Sequence, residues 1–552
     1  MGELNTAELL VRCLENEGVE YVFGLPGEEN LHVLEALKDS SIQFITTRHE
    51  QGAAFMADVY GRLTGKAGVC LSTLGPGATN LMTGVADANL DGAPLVAITG
   101  QVGTDRMHIE SHQYLDLVAM FNPVTKWNTQ IVRPSNTAEI VRKAFKIAES
   151  EKPGAVHIDL PENIAAMSTS VSQPLKRDHR EMVYASFRSF NAAAVTISKA
   201  KNPIILAGNG AIRAHASEAL TEFATQLNIP VVNTFMGKGV IPYTHPLSLW
   251  TMGLQLRDHI TCAFEETDLV IAVGYDLVEF SPKKWNPDGK IPIIHVSENP
   301  AEIDSSYIPV VEVVGNISDS LNEIVKRADR QGKPVPHAAS LRSSIREDYE
   351  HYASDEGFPI KPQKLIYDLR QVMGAEDIVI SDVGAHKMWM ARQYHCDAPN
   401  TCIISNGFAA MGIAIPGALA AKLVHPERKV VAVTGDGGFM MNCQELETAL
   451  RVGSAFVTLI FNDNGYGLIE WKQINQFGQS TFVDFTNPDF VKFAESMGLK
   501  GYRVQSAFDL IPTLKTALEQ DVPSVIDCPV DYRENLRFSK RAGDLTCEIR
   551  EE

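Results

Sequence analysis

Two short runs hold the residues best equipped for chemistry: Gly435-Asp436-Gly437-Gly438 and, further on, Asn462-Asp463-Asn464. Each carboxylate follows an apolar segment, Val430–Val433 before the first and Phe456–Phe461 before the second, and a helical stretch separates them. That pattern predicts a strand–helix–strand unit with a right-handed crossover. Both carboxylates then lie at the carboxyl ends of neighbouring parallel strands, the edge where open α/β sheets bind ligands. Glycines there let backbone N–H groups approach a phosphate, and the helix start that follows favours negative charge. Two hard oxygen donors beside a phosphate suit Mg²⁺, which takes few carboxylates and completes its shell with phosphate oxygens and water. The expectation is a diphosphate held through a divalent ion by Asp436 and Asp463, with Gly435, Gly437 and Gly438 close to the phosphates. An acidic turn in which Asp436 only fixes its own loop is the competing reading of Gly-Asp-Gly alone; the second carboxylate at the next strand end argues against it. The intervening helix is expected to start at an Asn442 cap, with Glu445 completing a capping box, and to stop at Gly453.

A second segment, Thr47-Arg48-His49-Glu50-Gln51-Gly52-Ala53-Ala54, sets Glu50 between an apolar strand and a helix. Glu50 is either a first-turn charge favoured by the helix dipole or a partly desolvated carboxylate that exchanges a proton with a bound heterocycle. Gly75-Pro76-Gly77-Ala78-Thr79-Asn80 is explained by turn chemistry at a helix start. Met107-His108-Ile109-Glu110-Ser111-His112-Gln113 departs from the zinc HExxH order and lacks an evident third ligand, so it reads as a polar loop. In Asp382-Val383-Gly384-Ala385-His386 the histidine ends a strand, where it can touch phosphate or cap the next helix. Met388, Trp389, Met390 and Met411 read, on residue type alone, as core packing.

Strands must carry these residues, and three α/β blocks supply them. The first has apolar segments Tyr21–Phe23, Phe44–Thr46, Val69–Ser72, Leu95–Ile98 and Val156–Ile158. The second has Ile204–Ala207, Pro230–Asn233, Leu269–Val273 and Ile293–Val296. The third has Ile378–Ser381, Cys402–Ser405, Val430–Val433, Phe456–Phe461 and Ser524–Asp527. Strands alternating with helical stretches predict three doubly wound, parallel-sheet α/β domains, bounded at 1–166, 185–330 and 358–535. A polar stretch around Met167–Arg180 and a charged one over Lys326–Arg346 link them. The first and third blocks share size and strand spacing, as a duplicated fold would. The tail after Asn535 is expected to order only against a neighbour.

A chain of 552 residues exceeds one hydrophobic core and predicts about three or four domains. A net charge of −19 without a Lys/Arg block excludes nucleic acid as the expected partner, because phosphate backbones require concentrated positive charge. No apolar run reaches a membrane span and the start lacks a signal-peptide pattern. The 8 cysteines are scattered, several in apolar strands, as Cys70 and Cys528 are. Buried free thiols in a soluble cytoplasmic protein are the expectation.

Gly435-Asp436-Gly437 with Asn462-Asp463 resembles the thiamine-diphosphate fingerprint, and Arg48-His49-Glu50-Gln51-Gly52-Ala53-Ala54 resembles the glutamate segment of the acetohydroxyacid/acetolactate synthases. The likeness spans nearly the whole chain, in the order of pyrimidine, central and pyrophosphate domains, and is strongest to the FAD-independent, catabolic type. His112-Gln113, Met120–Lys126, Gly274-Tyr275-Asp276, Trp285-Asn286, Ile404–Gly407 and Val530–Arg533 carry that narrower resemblance. It implies that Asp436, Asp463 and the Gly465 carbonyl hold Mg²⁺. It places Gly384, His386, Pro76 and Asn80 on the cofactor, Met411 as a wedge under it, and Glu50 on its aminopyrimidine. Gln113 and Lys126 match positions on the substrate side. The implied reaction is decarboxylation of a 2-keto acid such as pyruvate, with the cofactor as electron sink, followed by addition to a second pyruvate. The resemblance also implies a site shared between subunits, hence a homodimer at minimum and a homotetramer as the expected assembly, and no FAD.

Two departures bear on the acceptor. Phe408-Ala409-Ala410 stands where catabolic synthases carry Gln, and Glu28 follows the Pro26-Gly27 turn where they have a small residue. Acceptor choice rests on few polar contacts. A 2-keto acid decarboxylase releasing an aldehyde is therefore the alternative, and a non-catalytic binding subunit is opposed by intact Glu50, Asp436 and Asp463.

Overall fold

The computed structural model describes residues 4–177, 182–253, 259–330, 335 and 338–543. Within them lie three 6-stranded sheets whose strand pairings are all parallel. The first holds β1 (Tyr21–Gly24), β2 (Gln43–Thr46), β3 (Gly68–Ser72), β4 (Leu95–Gln101), β5 (Trp127–Gln130) and β6 (Ala155–Pro161), in the order β2-β1-β3-β4-β6-β5. The second holds β7 (Pro203–Ala207), β8 (Val231–Asn233), β9 (Ser248–Thr251), β10 (Leu269–Val273), β11 (Ile293–Ser297) and β12 (Pro309–Val314), in the order β12-β11-β10-β7-β8-β9. The third holds β13 (Ile378–Ser381), β14 (Cys402–Ile404), β15 (Val430–Gly435), β16 (Val457–Asn462), β17 (Lys500–Arg503) and β18 (Ser524–Pro529), in the order β14-β13-β15-β16-β18-β17. Counted from their own first strands, the first and third sheets have the same order.

Central strands such as β3, β4, β10 and β15 are buried along their apolar runs, as parallel sheets covered on both faces require. Four strands lay outside the sequence expectation, β5, β9, β12 and β17, and each is an edge strand. β5, β12 and β17 keep partly exposed residues, so their apolar signal is weak.

The first and third units share one hydrophobic core. Helix Glu50–Thr64 packs its Ala53, Ala54 and Ala57 into the same cluster as Ala414, Ala418 and Ala421 of helix Ala414–Val424. Small residues permit this approach: a Cβ on Gly417 would stand 2.9 Å from Val59 Cγ2. A buried polar seam reinforces it. Arg62 bonds Asp58, Asp87 and Asp91 and the Ile404 carbonyl. Asp87 accepts the Ser405 hydroxyl at 2.6 Å, and Asp91 accepts the Asn406 N–H at 3.0 Å.

Cys13, Cys70, Cys396, Cys402, Cys443 and Cys528 are buried free thiols, as expected; Cys262 departs from that reading and is disulfide-bonded. The tail departs as well. A helix runs over Arg533–Gly543, tied down by Trp389 Nε1 donating to Asn535 at 2.6 Å and Trp471 Nε1 donating to Ser539 at 2.7 Å. Among the described residues no helix is long and apolar enough to cross a membrane.

Candidate functional site

β15 delivers Gly435 straight into helix Asp436–Asn442, and β16 ends at Asn462 one residue before Asp463. Gly435 pairs with Phe461 across the two strands, so the carboxylates emerge side by side at the carboxyl edge. Asp436 is 1% exposed. Its Oδ1 accepts the Gly437 N–H at 2.8 Å, and its Oδ2 accepts the Asn464 N–H and the Asn487 side-chain amide, both at 2.7 Å. Asp463 lies over Gly467, where a Cβ would meet its Oδ2 at 2.4 Å. Burial first, then the neighbouring Asp436 and Glu470 carboxylates, push Asp463 up to about 8. Burial also raises Asp436. Two crowded carboxylates without a compensating charge favour a divalent cation. Among the described residues no group of three or more His, Cys, Asp or Glu forms a metal cage, so the pair suits an ion completed by phosphate oxygens. Gly465 belongs to the same turn and bridges to Asp484.

The phosphate side has its own features. His386, in helix Ala385–Gln393, is 2% exposed, and among the described residues its Nε2 has no hydrogen-bond partner. The ring packs against two glycines: a Cβ would lie 2.8 Å from it at Gly384 and 3.3 Å at Gly435. Burial pulls its pKa down to about 3, so the ring is neutral. Tyr532, whose ring edge lies 3.1 Å from a Cβ built on Gly467, carries a second buried, unpartnered polar atom, its hydroxyl. Orphaned buried groups beside glycines fit an anionic ligand that satisfies them. Gly437 and Gly438 follow Asp436 in the same helix. Met411 stands half-buried between two left-handed residues, Ala409 (φ +59°) and Gly412 (φ +95°). Asp382 fixes that turn by accepting the N–H groups of Gly412 at 2.8 Å and Ala414 at 3.3 Å.

Glu50 is the first residue of helix Glu50–Thr64, just past β2, and is 8% exposed. Its Oε2 accepts the Asn80 side-chain amide at 3.0 Å, and its Oε1 would lie 3.3 Å from a Cβ on Gly77. Pro76 opens helix Pro76–Asp91 behind Gly75, which takes φ +49°. Glu50, Pro76 and Asn80 therefore converge at the carboxyl edge of the first sheet, where Glu28 is exposed in the turn after β1. Gln113 lies nearby, exposed at φ +57°, with its backbone oxygen 2.9 Å from a Cβ built on Gly75.

Two sequence readings need correction. Lys126 precedes β5 at the amino edge of the sheet, opposite Glu50. Its ammonium donates to the carbonyls of Ile147, Ser150 and Lys152 at 2.6–2.8 Å. It caps the end of helix Thr137–Glu149 and is removed from the catalytic set. Asn442 and Glu445 form no capping box: the stretch folds as two helices, Asp436–Asn442 and Glu445–Arg451, so Asn442 ends the first and Gln444, not Asn442, precedes the second. Asn442 donates to Gln51 at 3.0 Å, and Glu445 accepts the backbone N–H groups of Arg48 and His49 at 3.1 and 3.0 Å. Met388 is half-buried, packing against the third unit's core as expected and also lining a cavity. Trp389 and Met390 are core residues as expected. The stretch Met107–Gln113 is largely exposed, with His108 bonded to Tyr114. Sequence reasoning assigned no role to Asn487, Asp382 or Tyr532; only the last belonged to a segment singled out for its resemblance.

Two half-sites are thus present, one built on Glu50, the other on Asp436 and Asp463. The chain matches the thiamine pyrophosphate enzyme family in all three units: the N-terminal TPP-binding domain over 4–120, the central domain over 190–324 and the C-terminal TPP-binding domain over 382–528. It is 36% identical to the acetolactate synthase of Bacillus subtilis (strain 168), over 98% of this chain and 96% of that one. It is also 36% identical to the catabolic acetolactate synthase of Raoultella terrigena, over 96% and 95%. A probable acetolactate synthase large subunit of Methanococcus aeolicus is 36% identical over 98% and 95%.

This chain belongs to the acetolactate synthase family of thiamine pyrophosphate enzymes. Family membership accounts for why two half-sites stand on two sheets: the family's N-terminal and C-terminal modules are both TPP-binding domains. It accounts equally for the second unit, which matches the central domain and carries neither half-site.

Proposed function

We propose that the protein decarboxylates pyruvate with thiamine diphosphate and Mg²⁺ and joins the product to a second pyruvate, giving 2-acetolactate. The Asp436–Asp463 pair beside the unpartnered His386 nitrogen carries this reading, in a chain related throughout its length to acetolactate synthases. Asp436 and Asp463, with the Gly465 carbonyl, hold the ion; Gly384, His386, Gly435, Gly437 and Gly438 hold the diphosphate; Met411 supports the cofactor from below. Thiamine diphosphate supplies the electron sink for loss of CO₂. Glu50, buried and oriented by Asn80, exchanges a proton with the aminopyrimidine, and Pro76 shapes the adjoining backbone. Gln113 lies where it meets substrate. We assign 1–166, 185–330 and 358–535 as pyrimidine, central and pyrophosphate domains.

In this reading the half-sites of two subunits meet, so the active form is a homodimer or a homotetramer built from it. Helix Asp436–Asn442 supports that arrangement: Met440 and Met441 are 45% and 41% exposed beside the metal carboxylates, as apolar residues awaiting a partner would be. FAD is not part of the proposal. The Asn209 N–H, at the turn where a dinucleotide phosphate approaches, already donates to the Glu279 carboxylate at 3.0 Å. Among the described residues six cysteines are buried free thiols against one disulfide-bonded cysteine, Cys262, and that balance supports a cytoplasmic location. The test is turnover of pyruvate by protein supplied with thiamine diphosphate and Mg²⁺. Acetolactate as the chief product supports the proposal; acetaldehyde as the chief product overturns it in favour of a decarboxylase.

A further inference from the structure

A cavity of about 410 Å³ opens between the second and third units, a size common among small-molecule pockets. It adjoins the metal half-site on three sides: Val383 precedes Gly384, Ala409 lies two residues before Met411, and Leu468 follows Gly467 beneath the Asp463 carboxylate. Its charge is biased. Lys387 lies deep in it, while Lys284 and Lys472 are exposed at its margin. Among the described residues one carboxylate, Glu279, faces the same space, but it is committed to the backbone N–H groups of Asn209 and Asp276 and to the Thr234 hydroxyl.

Lys387 is the unexplained group. It is 6% exposed, and among the described residues its ammonium donates no hydrogen bond and pairs with no carboxylate; the ammonium lies 5.9 Å from the centre of the Phe235 ring. Asp87 and Asp91, themselves bonded to Arg62, support its charge from beyond pairing distance, yet burial still pulls the ammonium down to about 8. A buried cation without a partner is costly, and an anion entering the cavity supplies one. A flexible, compact ammonium is suited to a single carboxylate oxygen.

We propose that Lys387 binds the carboxylate of the acceptor 2-keto acid, and that Lys284 and Lys472 draw anionic substrate to the cavity mouth. Lys387 therefore governs the second half of the reaction, in which the acceptor must be held against the cofactor. Loss of its ammonium leaves decarboxylation possible but the acceptor unanchored, so the reaction ends in aldehyde. The lysines at the mouth act on encounter alone, through a field that salt screens.

The inference rests on the carboligase reading above, and its test separates the two. Wild-type protein, K387Q and K387R, each loaded with thiamine diphosphate and Mg²⁺, are compared for pyruvate KM, acetolactate-to-acetaldehyde ratio and calorimetric binding of inorganic phosphate. K387Q is expected to raise KM about tenfold, as loss of one charged hydrogen bond does, to shift product toward acetaldehyde, and to weaken phosphate binding by about the same factor. K387R should restore much of each, and cofactor affinity should not change, which separates anion binding from misfolding. The K284Q/K472Q double variant should lower kcat/KM and flatten its salt dependence while leaving the product ratio alone. Unchanged KM, product ratio and phosphate affinity in K387Q overturn the inference. Wild-type protein that forms no acetolactate but binds phosphate through Lys387 overturns the carboligase reading and leaves the anion site standing.

Discussion

The Glu445 carboxylate of the third unit holds the His49 backbone N–H of the first at 3.0 Å. His49 caps helix Glu50–Thr64, its ring nitrogen accepting the Gln51 N–H at 3.1 Å, so Glu445 fixes the start of the helix that carries Glu50. Glu445→Ala would leave the partly buried Arg48 and His49 N–H groups without their carboxylate, at a cost of about 1–3 kcal/mol. We expect a lower unfolding temperature together with a reduced kcat. A variant that unfolds early but turns over normally would show that the clamp serves folding alone.

Glu50→Gln keeps the shape and the Asn80 contact but removes a proton acceptor. Turnover should fall about 10²–10⁴-fold, the usual worth of a general acid–base group, with thiamine diphosphate affinity nearly intact. Measured kcat close to wild type would refute the proton-transfer role.

Cation binding should release protons. Asp463 ordinarily ionises near 3.8 but is held at about 8 in the folded chain. A raised carboxyl pKa means that the folded state binds the proton more tightly than the unfolded one. Its contribution to stability is therefore greatest below pH 4 and is lost as pH rises from there through about 8. Adding Mg²⁺ with thiamine diphosphate at pH 7 should expel about one proton per site, read from binding heats in buffers of different ionisation enthalpy. Heats that do not vary with the buffer would contradict the assignment, and Asp463→Asn should abolish the release.

Lys126→Gln should leave kcat and KM within about twofold of wild type while lowering thermal stability, since the Ile147 and Ser150 carbonyls at the helix end and the Lys152 carbonyl just beyond it lose a charged donor. A large loss of turnover in a folded variant would return Lys126 to the substrate side.

Arg62→Met strands Asp58, Asp87 and Asp91, whose side chains are 0% exposed. Removing one partner from a buried ionic cluster typically costs about 3–5 kcal/mol, so this variant should yield little soluble protein. Normal yield and unfolding temperature would mean that the aspartates shed their charge without penalty.

What could be read from the chain depends on how far each residue's partner lies along it. Asp436 and Asp463 were legible because glycines and apolar strands flank them within a few residues, and the central strands because burial on both faces makes them continuously apolar. Edge strands such as β5 and β17 lacked that signal. Asn442 and Glu445 misled for a related reason: their spacing imitates a local cap, whereas their partners Gln51 and His49 lie 391 and 396 residues away. Lys126 misled because its place within a motif says nothing about which edge of the sheet it occupies. Asn487, which clamps Asp436, sits in a segment with no pattern of its own.

The common strand order of the first and third sheets gives this polypeptide two copies of one framework, each with its own rim. Both copies offer a ligand at the same end of the same layout, yet one presents a lone carboxylate beside an amide and the other a crowded pair beside glycines. In that arrangement the loops diverge in chemistry while the frame preserves their geometry. Changes that adapt one copy's rim to a new substrate need not disturb the other's grip on the cofactor.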